Sequence, residues 1–231
     1  MSVYVIGDTH LSFSSDKPMN IFKGWDDFEF RLENNWQKLV EAEDTVIITG
    51  DISWGMSLQE SLKDFDFLNK LNGTKIILKG NHDYWWNTAN KMNNFMAENE
   101  FSSIKFLHNN AYKIDDIAIA GSRGWFFDAE KEDIDKVLAR ECGRLQRSID
   151  MAKELGGEVV TFLHYPPISM NADCDPIIEV LVKNDIKRCY YGHLHGGAIR
   201  TAFNGEKYGI DFRLVSADYL EFCPLYIKSR E

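Results

Sequence analysis

Short β-branched or aromatic runs recur along the chain, each followed by a polar turn: VYVI (3–6) before GDTH, TVIIT (45–49) before GDIS, KIILK (75–79) before GNHD, VVTFL (159–163) before HYPP, and KRCYY (187–191) before GHLHG. Apolar runs of this length, bounded by such turns, predict buried strands. Between the first two, the period changes: in 28–42, Phe28, Leu32, Trp36, Leu39 and Val40 fall at three- and four-residue spacings, which predicts an amphipathic helix. A helix joining consecutive strands implies a crossover and parallel neighbours. A second stripe over 57–71 (Leu58, Leu62, Phe65, Leu68, Leu71) begins at Ser57 with Glu60 three residues on, the pattern of an N-cap and capping box. Further helices are expected over 88–99, over the charge-dense 130–155, closed by Gly156-Gly157, and over 176–184, with IAIAGSRGW (117–125) as strand plus loop. The C-terminal third changes character. IRTAF, an NGE turn at 204–206, KYGIDFRLVSA and YLEFCPLYI predict antiparallel strands and a hairpin. The expected architecture is α/β, two packed sheets flanked by helices. Residues 1–231 show no repeat or linker, so one domain is expected.

The formal net charge of −10 disfavours binding of duplex DNA or long RNA, which depends on neutralising phosphates with Lys and Arg. A small phosphorylated substrate stays compatible, because bound divalent cations invert the local charge. Cys142, Cys174, Cys189 and Cys223 are scattered and form no CxxC pair, which reads as reduced thiols. MSVYVIGDTH enters a strand without a basic leader, and no stretch approaches the roughly 18–20 apolar residues of a membrane span. A soluble cytoplasmic protein is expected; nothing in the sequence sets its oligomeric state.

The chemistry lies in the turns. In α/β sheets, loops at the carboxyl ends of the strands meet in one crevice, so Asp8, His10, Asp51, Asn81, His164, His193 and His195 should converge. Two carboxylates, one amide and four imidazoles suit a borderline transition-metal site, and their number suggests two ions. Asp8 and His10, two apart, would point the same way in an extended stretch. Asp51 can bridge two ions with its two oxygens. His82 points elsewhere and remains as a separate acid. Asp83 either orients that imidazole or caps the following helix.

Taken in order, GDTH, GDIS, GNHD, LHYPP and GHLHG resemble the motif series of the calcineurin-like metallophosphoesterases: D-x-H, G-D, G-N-H-D/E, a lone H and G-H-x-H. The blocks span 7–196, and their joint occurrence is highly specific. The resemblance implies a four-layer α/β/β/α sandwich carrying two metals about 3.5–4 Å apart. It implies Asp8, His10 and His195 on the first, Asn81, His164 and His193 on the second, and Asp51 between them. A small phosphomono- or phosphodiester would then be hydrolysed by a hydroxide shared by the two ions, with His82 as general acid to the leaving group. Mn²⁺, Fe²⁺ and Zn²⁺ all accept such ligands. The protein Ser/Thr phosphatases carry G-D-x-V-D-R-G, whereas this chain has Ser53 and Trp54 where the Asp-Arg pair would fall. In that respect it is similar to small bacterial members of the superfamily.

Other functions stay in view. A non-catalytic scaffold on the same fold would be marked by missing ligands, yet all seven positions and His82 are filled. A nuclease would need Lys and Arg clustered beside the metals. Arg123, in a loop after a strand, either grips a phosphate oxygen or makes a surface ion pair. Trp54, Trp85, Trp86 and Trp125 flank the motif loops and are either an aromatic rim or core. His108, the sixth histidine, reads as a surface or turn residue.

Overall fold

The computed structural model describes residues 1–124 and 134–227; Trp125 and the expected helix start at 130–133 lie outside the described residues. In chain order the elements are β1 (Val3–Ile6), α1 (Phe28–Leu39), β2 (Thr45–Ile48), α2 (Leu62–Lys70), β3 (Thr74–Ile77), α3 (Ala89–Glu98), β4 (Ile104–Phe106), β5 (Tyr112–Ile114), β6 (Ile117–Ser122), α4 (Ile134–Leu155), β7 (Glu158–Leu163), α5 (Asp175–Lys183), β8 (Arg188–Tyr191), β9 (Gly205–Lys207), β10 (Ile210–Leu214) and β11 (Leu225–Ile227). One sheet has the order β11-β1-β2-β3-β4 and the other β5-β6-β7-β8-β10-β9. In the first, β1 to β4 are parallel and β11 runs against β1. In the second, β6, β7, β8 and β10 are parallel, with β5 and β9 antiparallel at the edges.

The two-residue period of the strands splits their apolar side chains between two cores. Val3, Val5, Ile47 and Ile76 pack against Ile117, Ile119, Val160 and Phe162, between the sheets. Ile6, Val46, Ile48 and Ile77 point the other way, onto Leu32 and Trp36 of α1, Phe65 and Leu68 of α2 and Met92 of α3. On the far side, Ala118, Ala120, Cys189 and Tyr191 meet Leu145 and Ile149 of α4 and Ile177 and Leu181 of α5. The layers are therefore helix, sheet, sheet, helix, as expected.

Some boundaries differ from the sequence reading. Ser57 Oγ accepts the Glu60 N–H at 3.2 Å, but the Glu60 carboxylate accepts from Met56 at 2.9 Å, so this exchange closes a separate turn and α2 starts only at Leu62. Within IRTAF, Ile199 to Thr201 end a 3₁₀ turn, Gly196–Thr201, instead of forming a strand. The hairpin reverses at Tyr208 and Gly209, with φ of 57° and 73°, the left-handed pair that matches strand twist. Asn204-Gly205 is not the turn: the Asn204 side chain accepts from Leu214 N at 2.9 Å and pins the start of β9. β9 takes the sheet edge, and β10, expected to be antiparallel, is antiparallel to β9 but parallel to β8. The four cysteines are free thiols. Among the described residues no helix is long and apolar enough to cross a membrane.

A lysine sits inside this framework. Lys75, in β3, is fully buried, and its ammonium donates to the carbonyls of Leu71 at 2.6 Å and Gly73 at 2.7 Å. Burial lowers its pKa from the usual 10.5 to about 8. Between these values the unfolded chain holds a proton that the folded chain has shed, so this group makes stability rise with pH. In urea unfolding, the stability of wild type relative to Lys75→Met should rise by roughly 3 kcal/mol from pH 8 to 10.5. A difference that stays flat across that interval would show that Lys75 is not burdened by desolvation.

Candidate metal centre

The loops leaving β1, β2, β3, β7 and β8 carry the seven expected residues to one place. The backbone is not extended there. Asp8, His10, Asp51 and His193 have φ of 58°, 44°, 50° and 74°, a conformation costing on the order of 1–3 kcal/mol per non-glycine residue. Asp8 and His10 therefore reach a common point through left-handed kinks, and the expected strand-like alternation is replaced by them. Hydrogen bonds set the kinks: Asp8 N to Gly50 O at 2.9 Å and His10 N to Asp51 O at 2.9 Å lay the first loop along the second. Close approach is possible because Gly80 and Gly192 lack side chains; an added Cβ would overlap the Asp51 and Asp8 carboxylates, respectively.

Two groups result, Asp8–His10–His195 and Asp51–His164–His193, each with its ligand-type atoms within 4.8 Å of one another. In the first, His195 Nε2 lies 3.2 Å from His10 Nε2 and 3.4 Å from Asp8 Oδ1. In the second, Asn81 Oδ1 lies 2.6 Å from His164 Nε2 and 2.9 Å from His193 Nδ1. Asp51 Oδ2 stands between the groups, 3.8 Å from His10 Nε2 and 3.5 Å from His164 Nε2. Donors about 2.0–2.2 Å from a shared ion lie about 3 to 3.5 Å apart, which matches the 3.2 and 3.4 Å of the first group and the 3.5 Å from Asp51 to His164.

The protonation pattern fits as well. Thr49 O is 3.0 Å from His164 Nδ1 and can only accept, so in the neutral ring Nδ1 carries the hydrogen and Nε2 a lone pair. Burial keeps that ring neutral, lowering its pKa to about 3, and holds His10 well below the imidazole range. The His164 lone pair thus faces the acceptor oxygens of Asn81 and Asp51, an arrangement that a cation stabilises. His195 differs. Burial opposes its charge, but Asp8 and the Asp218 hydrogen bond, Nδ1 to Oδ1 at 3.1 Å, raise its pKa to about 10. Asp8 is held below the carboxylate range: burial pushes it up, and the imidazoles of His195, His164 and His10 outweigh that. Asp51 is raised by burial and by Asp83 and Asp8, so its charge needs a nearby cation.

Asp83 neither touches His82 as an orienting partner nor caps α3, whose first turn is capped by Thr88. Its buried carboxylate accepts from Asp51 N at 2.9 Å, Gly80 N at 2.7 Å, Ile52 N at 2.8 Å and Trp85 Nε1 at 3.0 Å, clamping the loop after β2 to the loop after β3. His82 is half-buried beside Trp54, ring centres 4.5 Å apart, and its backbone N–H donates to Asp51 at 2.8 Å. Burial, followed by His193 and Lys17, holds its pKa below the usual value.

The tryptophans divide. Trp85 is core, packed edge-on against Phe65, and Trp86 packs on Phe106. Trp54 stacks on His10, ring centres 4.9 Å apart, and the Lys17 ammonium lies 4.6 Å from the centre of the Trp54 ring. Sequence reasoning missed Trp25, which meets His10 and His195 edge-on, Tyr165, 4.4 Å from His193, and Asp218. Of these only Asp218, a carboxylate two residues beyond VS at the end of a predicted strand, left a readable signal. Arg123 lines a neighbouring cavity, and its carbonyl accepts from His164 N at 3.2 Å and Tyr165 N at 2.9 Å. His108 is half-buried and lines the same cavity.

Comparison with known proteins agrees with this fold. The structure is similar to the Aquifex aeolicus protein of unknown function AQ665, with a TM-score of 0.52 at 18% identity over 97% of this chain and 95% of that one. It is also similar to the phosphopantetheinyl hydrolase PptH of Mycobacterium tuberculosis, with a TM-score of 0.55 at 12% identity over 98% and 95%. At these identities the likeness is one of fold. An uncharacterized protein of Methanocaldococcus jannaschii, MJ1445, is 29% identical over 86 residues, 35% of this chain and 46% of that protein, so the match spans less than half the length of that relative. The family model for calcineurin-like phosphoesterases matches residues 1–197, a stretch that contains every strand-end motif described above, and the chain belongs to that family.

Proposed function

We propose that this chain is a hydrolase of small phosphomono- or phosphodiesters that uses two divalent transition-metal ions, Mn²⁺, Fe²⁺ or Zn²⁺. Asp8, His10 and His195 would hold one ion, Asn81, His164 and His193 the other, and Asp51 would touch both. One observation carries the reading: a buried His164 lone pair aimed at the oxygens of Asn81 and Asp51, with the ring's only hydrogen committed to Thr49. Family membership supports phosphoester hydrolysis in general. Bound ions of this kind lower the pKa of water and neutralise phosphoryl oxygens.

The chain's own residues do the rest. Thr49 O and Asp218 fix the tautomers of His164 and His195. Trp25, Trp54 and Tyr165 wall off the imidazoles and keep their rings from turning. His82 would protonate the leaving oxygen. Its lowered pKa leaves it neutral in the free protein, so the negative charge of a bound phosphoester is what would restore its proton. Arg123 is a weaker candidate for substrate contact. Residues 1–231 act as one domain in this reading, because β10 and β11, beyond the family match, each pair with a central strand.

Three outcomes test it. Chelator treatment should abolish hydrolysis of p-nitrophenyl esters, and Mn²⁺ should restore it, with the circular dichroism of the fold largely retained; full activity in excess chelator, with no metal by elemental analysis, would overturn the proposal. Asp218→Asn should weaken metal binding about 10- to 100-fold, as loss of a carboxylate behind a ligating histidine does. A competition titration giving wild-type affinity would remove Asp218 from that role. His82→Ala should lower kcat roughly 10²- to 10⁴-fold for alkyl esters and much less for p-nitrophenyl esters, whose leaving group needs no proton. Equal losses on both esters, accompanied by loss of metal, would make His82 a ligand or a structural residue.

A further inference from the structure

A second cavity, of about 260 Å³, lies at the carboxyl ends of β3, β4 and β6, lined among others by Lys79, His108, Arg123, Glu141 and Arg144. It shares a wall with the candidate metal centre. Lys79 is two residues before Asn81, hence within about 7.6 Å along the chain, and the Arg123 carbonyl accepts the His164 N–H at 3.2 Å. In strand order the centre occupies the ends of β1, β2, β3, β7 and β8, so the cavity is the next place along the same rim. Strands about 4.8 Å apart put it roughly 5 to 10 Å from the centre.

Its lining carries the side chains of Lys79, Arg123 and Arg144 together with the carboxylate of Glu141, which is 2% exposed and accepts from Arg144 at 2.6 Å. Lys79 makes no hydrogen bond or ion pair among the described residues. A half-buried ammonium without a partner is a cost that an anion removes. The volume far exceeds the about 30 Å³ of one water and suits a single phosphate-sized group better than a polymer backbone. The net charge of −10 argues the same way.

We propose that this cavity is an anion subsite that receives a second phosphate of the substrate, making small phosphoesters with a second phosphoryl group the preferred class. This rests on the phosphoesterase reading above. The test uses metal-loaded protein with adenosine 5′-monophosphate and adenosine 3′,5′-bisphosphate, and metal-stripped protein titrated with inorganic phosphate. The bisphosphate should be favoured in kcat/KM, mainly through KM, by about ten- to hundredfold, the range of one charge-assisted hydrogen bond. Lys79→Gln and Arg144→Gln should each pull that ratio toward one, and Lys79→Gln should weaken phosphate binding to the stripped protein. Arg144 also pairs with buried Glu141, so Lys79→Gln carries the result should Arg144→Gln fail to fold. Equal hydrolysis of both nucleotides, with phosphate binding indifferent to Lys79, overturns the subsite and leaves the phosphoesterase reading standing. Phosphate binding that depends on Lys79, with no hydrolysis of any ester by metal-loaded protein, upholds the anion site and overturns the hydrolytic reading.

Discussion

The buried carboxylate of Asp83 is the constraint on which the centre depends. Five N–H groups, from two loops and a tryptophan, end on its two oxygens, so the turn after β2 and the turn after β3 cannot separate without exposing it. Burial raises its pKa to about 6, against the pull of those N–H groups. The donors require an acceptor at this position. Through Asp83 the bridging candidate Asp51 and the amide Asn81 are held in register, and everything that converges on them inherits that register.

A second layer of fixed hydrogen bonds deals with charge. Seven lone-pair donors brought together in a buried space repel one another unless a positive charge lies among them. In the protein by itself His195 is best placed to carry it, since Asp8 and Asp218 favour its imidazolium. His164 and His10 are kept neutral by burial, ready to donate electron pairs. The strained φ values at Asp8, His10, Asp51 and His193 belong to the same design: short loops must turn sharply to aim large side chains inward, and the surrounding sheets over-determine them.

The two sheets explain why centre and neighbouring cavity lie side by side. Parallel strands end on one rim, and successive strands place successive loops along it. The loops after β1, β2, β3, β7 and β8 fill one stretch with acceptors, while Lys79 after β3 and Arg123 after β6, with Arg144 of α4, line the next. Lys79 and Asn81, two residues apart, belong to different neighbourhoods because the chain turns at Gly80 between them.

The sequence by itself determined the motif-bearing strands, the crossover helices, the layer order and the set of residues at the rim, because those follow from local periodicity and from motifs of fixed order; it did not show the short strands β4 and β5, whose three residues each are too few for a pattern. The apolar alternation in VYVI and TVII already contains the two cores. It did not determine where α2 begins, since the Ser57–Glu60 exchange stabilises a turn as readily as a helix start. Nor did it locate the hairpin, since Asn-Gly favours reversal only where the neighbouring strand pairing allows it. The roles of Asp83, Asp218, Trp25 and Tyr165 were decided by tertiary structure alone: each acts on a residue far away in sequence or across a sheet, and no local pattern records which donor will meet which acceptor. The cation-lined cavity has the same origin, since Lys79, Arg123 and Arg144 are ordinary charges until packing brings strands from both sheets and one helix together around a single space.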